Sequence, residues 1–208
     1  MKKYMVNEIF WSPQGEGMRA GEMSVFVRFT GCNLECSIEA GPKSPGGFDC
    51  DTEFASGRKM TGKDIINECF EVTGQKTIDG LWIVFTGGEP ALQLDRDLVT
   101  MCQAAGFKCA IETNGSICVN GRGLDWITVS PKVAEHAIRQ DVADEVKYVR
   151  GYGQGIPKPT CQAKHQLISP ATIGNTFDPR AIDWCLELIK ENPKWRLSCQ
   201  LHKMWLVR

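Results

Sequence analysis

Short runs of β-branched and aromatic residues recur along this chain, and nearly every one is followed at once by a polar, glycine or proline motif. The runs are Ser24–Phe29, Leu81–Phe85, Phe107–Ile111, Trp126–Val129, Glu145–Val149, Lys164–Ile168 and Trp195–Cys199. Such runs, bounded by turn residues, read as strands. Cys32 follows the first, Thr86-Gly87-Gly88-Glu89-Pro90 the second and Glu112-Thr113-Asn114-Gly115 the third. Ser130-Pro131-Lys132 follows the fourth, Ser169-Pro170 the sixth, and Gln200 to Lys203 the last. Three helical stripes lie between strands. Thr61-Gly62-Lys63-Asp64 has the form of a capping box ahead of Ile65, Ile66, Cys69 and Phe70. Leu94, Leu98, Met101, Cys102 and Ala105 form a second stripe closed by Gly106, and Pro179 opens a third that ends at Asn192-Pro193. Strand–helix–strand alternation implies parallel pairing with right-handed crossovers. Parallel α/β proteins place ligand sites at the carboxyl ends of their strands. The expected fold is therefore α/β: a partial, open α/β barrel with abbreviated helices in the second half and one mouth built from many loops.

The 208 residues suffice for one domain, taken as 1–208, with Gly41–Gly47 and Gly151–Pro159 as loops rather than linkers. A formal net charge of −1 gives no global basic field for nucleic acid or an anionic membrane surface. No apolar run has the length of a membrane span. Met1-Lys2-Lys3-Tyr4 is basic, but Asn7-Glu8 breaks what would be the apolar core of a signal peptide, so the expected compartment is the cytoplasm. In that compartment the 10 cysteines are thiols. Cys69, Cys102, Cys109 and Cys185 sit in apolar-periodic segments and read as small buried hydrophobes.

Cys32, Cys36 and Cys50 differ, because they lie in a polar, Gly/Pro-rich stretch that cannot be core. Intervals of 3 and 13 residues admit a zinc site, a redox centre or an iron–sulfur site. Structural zinc normally takes four ligands, and His136, His165 and His202 are all remote in sequence. Three thiolates on a cubane would leave one iron open to another ligand.

The flanking residues carry a family resemblance. Gln14-Gly15-Glu16-Gly17, Val25-Phe26-Val27-Arg28-Phe29-Thr30-Gly31-Cys32-Asn33-Leu34 and Cys50-Asp51-Thr52 resemble the 7-carboxy-7-deazaguanine synthase family. So do Phe85 to Pro90, Ile111 to Gly115, Val129 to Lys132, and the ending Trp195-Arg196-Leu197-Ser198 with Gln200, His202 and Lys203. These matches run in family order over essentially the whole chain. Gly-Gly-Glu-Pro alone marks the wider radical S-adenosylmethionine superfamily. One departure stands out: the superfamily spacing is Cys-x3-Cys-x2-Cys, so the resemblance implies a cluster-loop insertion around residues 37–48. Loop closure entropy grows only logarithmically with length, which makes such an insertion inexpensive.

The resemblance implies a radical S-adenosylmethionine fold and conversion of 6-carboxy-5,6,7,8-tetrahydropterin to 7-carboxy-7-deazaguanine with loss of ammonia. The radical is generated on the cofactor, so no side chain is assigned as catalytic. Cys32, Cys36 and Cys50 would hold a 4Fe-4S cluster, and the Thr52 hydroxyl a magnesium ion (Mg2+). S-adenosyl-L-methionine would lie against Asp49, Asp51, Gly87, Gly88 and Glu89, with Glu112 on its ribose and Ser130, Pro131 and Lys132 as a further contact. The pterin would meet Pro13, Gln14, Gly15 and Glu16, whose amide and carboxylate suit an aminopyrimidinone edge. Arg28 offers a fork to the substrate carboxylate, an internal ion pair being its competing role. Thr86, Gln166, Ser169, His202 and Arg208 complete the implied substrate set. Expected partners are the small pterin, an electron donor such as flavodoxin or ferredoxin, and a second copy in a homodimer, with no nucleic acid and no membrane. The rival readings are a glycyl-radical enzyme activase, which would not need the pterin-reading residues, and a noncatalytic zinc-binding scaffold.

Overall fold

A computed structural model describes residues 2–36, 55–75, 79–173 and 176–207. Its centre is a nine-stranded sheet. In chain order the strands are β1 (Lys3–Pro13), β2 (Met23–Phe29), β3 (Arg58–Thr61), β4 (Trp82–Gly87), β5 (Lys108–Thr113), β6 (Trp126–Val129), β7 (Val142–Arg150) and β8 (Gln162–Pro170). The short β9 (Thr172–Ile173) and β10 (Thr176–Phe177) pair only with each other, and β11 (Trp195–Leu197) returns to the main sheet. The order across it is β11-β8-β7-β6-β5-β4-β2-β1-β3. All pairings from β11 to β2 are parallel, while β1 runs antiparallel to both β2 and β3. The two end strands do not pair, so the barrel is open, as the strand–helix alternation implies.

Helices α1 (Gly62–Thr73), α2 (Arg96–Ala104) and α3 (Pro179–Glu191) supply the outer layer, and α4 (Leu201–Trp205) follows β11. At α1 the Thr61 hydroxyl accepts the Asp64 N–H while the Asp64 carboxylate accepts the Thr61 N–H, completing the capping box. Strand residues alternate between two faces. Val25, Val27, Phe29, Ile83, Phe85, Cys109 and Ile111 turn outward to meet Ile65 and Cys69 of α1 and Leu98 and Cys102 of α2. A second cluster joins Val129, Val146, Tyr148, Ile168 and Trp195 to Cys185 and Leu188 of α3. Each fully buried Phe, Ile or Leu contributes about 1.5–3 kcal/mol. The four helix-stripe and strand cysteines are therefore core residues, as their periodicity indicates.

The other face of the sheet is polar, and the sheet curls around it. Glu16, just past β1, is ion-paired with Lys147 of β7. Five strand intervals separate β1 from β7, which in a flat sheet would set them on the order of 24 Å apart. β1 is a full strand of 11 residues where the sequence shows no clean alternation, because a register shift between Val6 and Glu8 breaks its period. Leu94 precedes α2 rather than lying in it: the Asp95 carboxylate caps the helix at Leu98 N–H, and Leu94 is buried beneath.

Candidate active site

The interior is floored by one row of side chains set by strand register. Glu8 pairs with Arg28, and Arg28 with Thr86. Glu112 follows Ile111, the partner of Phe85, and pairs with Thr128; Thr128 pairs with Glu145, and Glu145 with His165. Directly paired neighbours share a face, so polar residues from seven strands (β1, β2 and β4 to β8) line one concave surface.

The segment joining β1 to β2 folds over this surface. Gln14 N–H donates to Glu22 C=O and Gly21 N–H to Gln14 C=O, both at 2.8 Å. Gly17 N–H donates to Ser198 Oγ and Met18 N–H to Glu145 Oε2, again at 2.8 Å. Leu201 N–H donates to Gly15 C=O at 2.8 Å, tying the C-terminal segment to the same turn. Glycine is required at two points here. A Cβ on Gly15 would overlap the His202 ring, and one on Gly17, which has φ +75°, would overlap the Glu145 carboxylate.

Inside, one ammonium meets two carboxylates. Lys147, its side chain 7% exposed, is ion-paired with Glu16 and lies 3.6 Å from Glu112. Gln200 Nε2 donates to Glu16 Oε1 at 2.9 Å, and Gln14 Nε2 donates to Glu112 Oε1 at 3.1 Å. Burial alone would raise the Glu16 carboxyl, but Lys147, Gln200 and His202 outweigh it and bring it down to about 2. Burial pushes Glu112 up to about 7, with Lys147 opposing and the Glu145 and Glu16 charges reinforcing. Burial would lower the Lys147 ammonium, yet Glu112, Glu16 and Glu145 hold it well above the usual lysine range. Arg19 stacks on Trp82 with its guanidinium carbon 4.1 Å from the ring centroid. Burial depresses it, while Glu112, Glu22 and Glu145 act the other way.

At the rim, the β2 and β4 carboxyl ends close on each other. Gly87 has φ +137°, and a Cβ there would overlap the Phe29 backbone. A Cβ on Gly88 would overlap the Gly31 carbonyl and lie 2.9 Å from Cys32 Cβ. These glycines thus admit the Cys32 loop itself. Leu34 N–H points to Cys32 Sγ at 3.4 Å, an arrangement that stabilises thiolate charge. Asn33 Nδ2 donates to Ser116 Oγ at 2.9 Å, and Asn114 Nδ2 to Asn33 Oδ1 at 3.2 Å, anchoring the loop to the end of β5. Cys32, at this corner, and Cys36 are both partly exposed, unlike the core cysteines, which fits them to ligate a cluster.

Several expected site residues converge and others do not. Gln14, Gly15, Glu16, Glu112 and His202 surround the Lys147 chamber, with Arg28 and Thr86 side by side beyond it. Pro13 ends β1 opposite Met23. Ser130 and Lys132 lie past β6, the Lys132 Nζ donating to Ser130 Oγ at 3.1 Å, with Pro131 between them. Ser169 pairs with Val149 on β7 and is buried. Gln166 is placed elsewhere: it registers with Val146 and Trp195, both in the α3 core cluster, and shares their outward face. Glu89, expected at the cofactor, turns into the protein. Its carboxylate accepts the Ala91 and Asn114 N–H groups and the Thr113 hydroxyl, so its side chain acts as a tie. Arg28 Nε lies 3.2 Å from Glu8 Oε1, the competing ion-pair role, yet that nitrogen has no hydrogen-bond partner among the described residues. Cys50, Asp49, Asp51, Thr52, Arg208 and the 37–48 excursion lie outside the described residues. Sequence reasoning missed Lys147, Glu145 and Arg19; a charged residue alternating with apolar ones on a strand reads locally as a solvent-facing position.

The open parallel sheet, with Cys32 seated on its Gly87-Gly88 corner, belongs to the class of single-cluster iron–sulfur proteins, as a family match over most of the chain shows. The family described as a 4Fe-4S single cluster domain matches residues 13–155. The 7-carboxy-7-deazaguanine synthase of Nitratidesulfovibrio vulgaris is 38% identical, covering 96% of this chain and 97% of that one. The enzyme of the same name from Burkholderia multivorans is 40% identical, with coverage of 96% and 97%. The crystal structure of QueE from Escherichia coli superposes with a TM-score of 0.68 at 25% identity, covering 96% of this chain and 95% of that one. This chain belongs to the 7-carboxy-7-deazaguanine synthase family.

Proposed function

We propose that this chain is a radical S-adenosylmethionine lyase that converts 6-carboxy-5,6,7,8-tetrahydropterin to 7-carboxy-7-deazaguanine with release of ammonia, in queuosine and related deazapurine biosynthesis. The observation that carries this is spatial: Gln14, Glu16, Arg28 and Thr86 share one concave chamber with the Cys32 loop at its rim. When bound, the 4Fe-4S cluster and S-adenosyl-L-methionine supply the hydrogen-abstracting radical chemistry. The protein's own residues bind, orient and exclude water. Arg28 presents a guanidinium to the substrate carboxylate beside Thr86. The Gln14 amide and the Glu16 carboxylate meet the N–H-rich edge of the pterin. The turn over the interior and the curled sheet shield the reacting atoms from solvent.

Cys32 and Cys36 with Cys50 form the three-thiolate set, and Thr52 provides a hydroxyl to magnesium. A hydroxyl without a carboxylate is a weak magnesium site, so most of the remaining positions belong to substrate and water. The chain is one domain, 1–208, working as a homodimer in the cytoplasm with a flavodoxin- or ferredoxin-type electron donor. No helix among the described residues is long and apolar enough to cross a membrane. Anaerobic reconstitution tests the function: the expected result is a brown protein with the broad visible absorption of a 4Fe-4S cluster that forms the deazaguanine from the pterin. A colourless zinc protein, or a loaded cluster with no product from the pterin, would overturn it.

A further inference from the structure

Among the described residues, Lys147 is the one interior cation paired with both Glu16 and Glu112. It rises from β7, while its two partners come from the turn after β1 and from the end of β5. We propose that Lys147 is a positioning residue of the substrate chamber, acting through Glu16 and Glu112 to fix the charge and orientation that the chamber presents to the pterin. This rests on the function proposed above and deepens it. A carboxylate has about four acceptor positions. Lys147 and Gln200 occupy one on each oxygen of Glu16, which locks the group in place and leaves the others for ligand N–H groups. Among the described residues, the other charged groups acting on this cluster are Glu145 on the same strand as Lys147, Arg19 in the turn acting on Glu112, and His202 of α4 acting on Glu16. Replacing a buried ion pair with apolar residues is often harmless to stability, whereas removing one partner leaves an uncompensated charge. One ammonium between two carboxylates makes the chamber's net charge depend on Lys147. Glu112, poised at about 7, is the group that responds first.

The test is pterin affinity against pH, measured by anaerobic titration calorimetry on the reconstituted enzyme, with cluster absorbance as the assembly control. The wild-type protein should show a midpoint near neutrality. Lys147→Met should move that midpoint upward by about one unit or more, since a lost opposite charge disfavours the ionised carboxyl. Lys147→Arg should keep it near the wild-type position. Glu112→Gln should abolish the midpoint, and this arm decides the matter even where Lys147→Met does not fold. Pterin binding with an unmoved midpoint in Lys147→Met, or a neutral midpoint that persists in Glu112→Gln, overturns the role of Lys147 and leaves the enzyme's function standing. A wild-type protein that loads a cluster but binds no pterin overturns both.

Discussion

The Glu89 carboxylate accepts the backbone N–H of Asn114 at 2.7 Å, bridging the carboxyl ends of β4 and β5. The Thr113 hydroxyl at 2.7 Å and the Ala91 N–H at 2.8 Å complete its coordination. The Gly-Gly-Glu-Pro corner is thereby fastened to the loop that anchors Asn33 beside Cys32. Glu89→Ala strands three buried donors, and unsatisfied buried groups cost roughly 1–3 kcal/mol each. We expect a lower thermal midpoint and reduced iron retention after reconstitution, with Glu89→Gln intermediate. Unchanged iron content in Glu89→Ala would show that the tie does not support the cluster loop.

Gly88→Ala should be worse than a substitution that only strains the backbone. A Cβ at Gly88 meets the Gly31 carbonyl and Cys32, neither of which is the far end of a flexible side chain. At Gly121, with φ +78°, nothing among the described residues lies within 4 Å, so Ala there carries only the left-handed strain of roughly 1–2 kcal/mol. Iron content and thermal unfolding of the two variants should separate them: Gly88→Ala loses cluster, and Gly121→Ala retains it.

The buried carboxylates give opposite pH signatures. Glu112 is raised from 4.5 to about 7, so the native state binds its proton more tightly than the unfolded chain. Stability should therefore decline as pH rises from about 4.5 to about 7, by on the order of 3 kcal/mol, and Glu112→Gln should flatten that decline. Glu16 is lowered to about 2, so its contribution is present above 4.5 and fades as pH falls toward 2. Urea midpoints across this range, in the wild type and in each Gln variant, measure both slopes.

Arg28→Lys tests the carboxylate fork. A lysine point charge cannot reproduce two parallel N–H donors. Substrate affinity should fall by roughly 2–5 kcal/mol while cluster content stays normal. Unaltered affinity would leave Arg28 as the structural partner of Glu8.

Thr61→Ala provides a distant control. It removes the α1 cap, which costs about 1 kcal/mol, far from the chamber. The thermal midpoint should drop with no change in KM or kcat.

Some of this protein follows from local sequence. The strand runs from Ser24 onward, the Thr61 cap, the Pro179 start of α3 and the buried core cysteines all depend on neighbours within a few residues, where propensity and periodicity act. β1 escaped because its alternation breaks between Val6 and Glu8, and its partners β2 and β3 compensate only after folding. The family motifs likewise identified Gln14, Glu16, Arg28 and Cys32 without saying what each would touch.

Tertiary structure decided the rest. Lys147 and Glu16 stand 131 positions apart, and Gln14 and Glu112 stand 98 apart. On a strand, a lysine between Val146 and Tyr148 shows only that it faces away from them. Whether that face meets water or a closed interior depends on the curl of the whole sheet and on the turn folded across it. The same register turned Gln166 to the outer face and drew Glu89 inward. Sequence alone determined which chemical groups the chain carries and in which local elements, because those rest on short-range sterics and patterning. The closure of the sheet around its polar face determined which groups lost their water and came to share one charge.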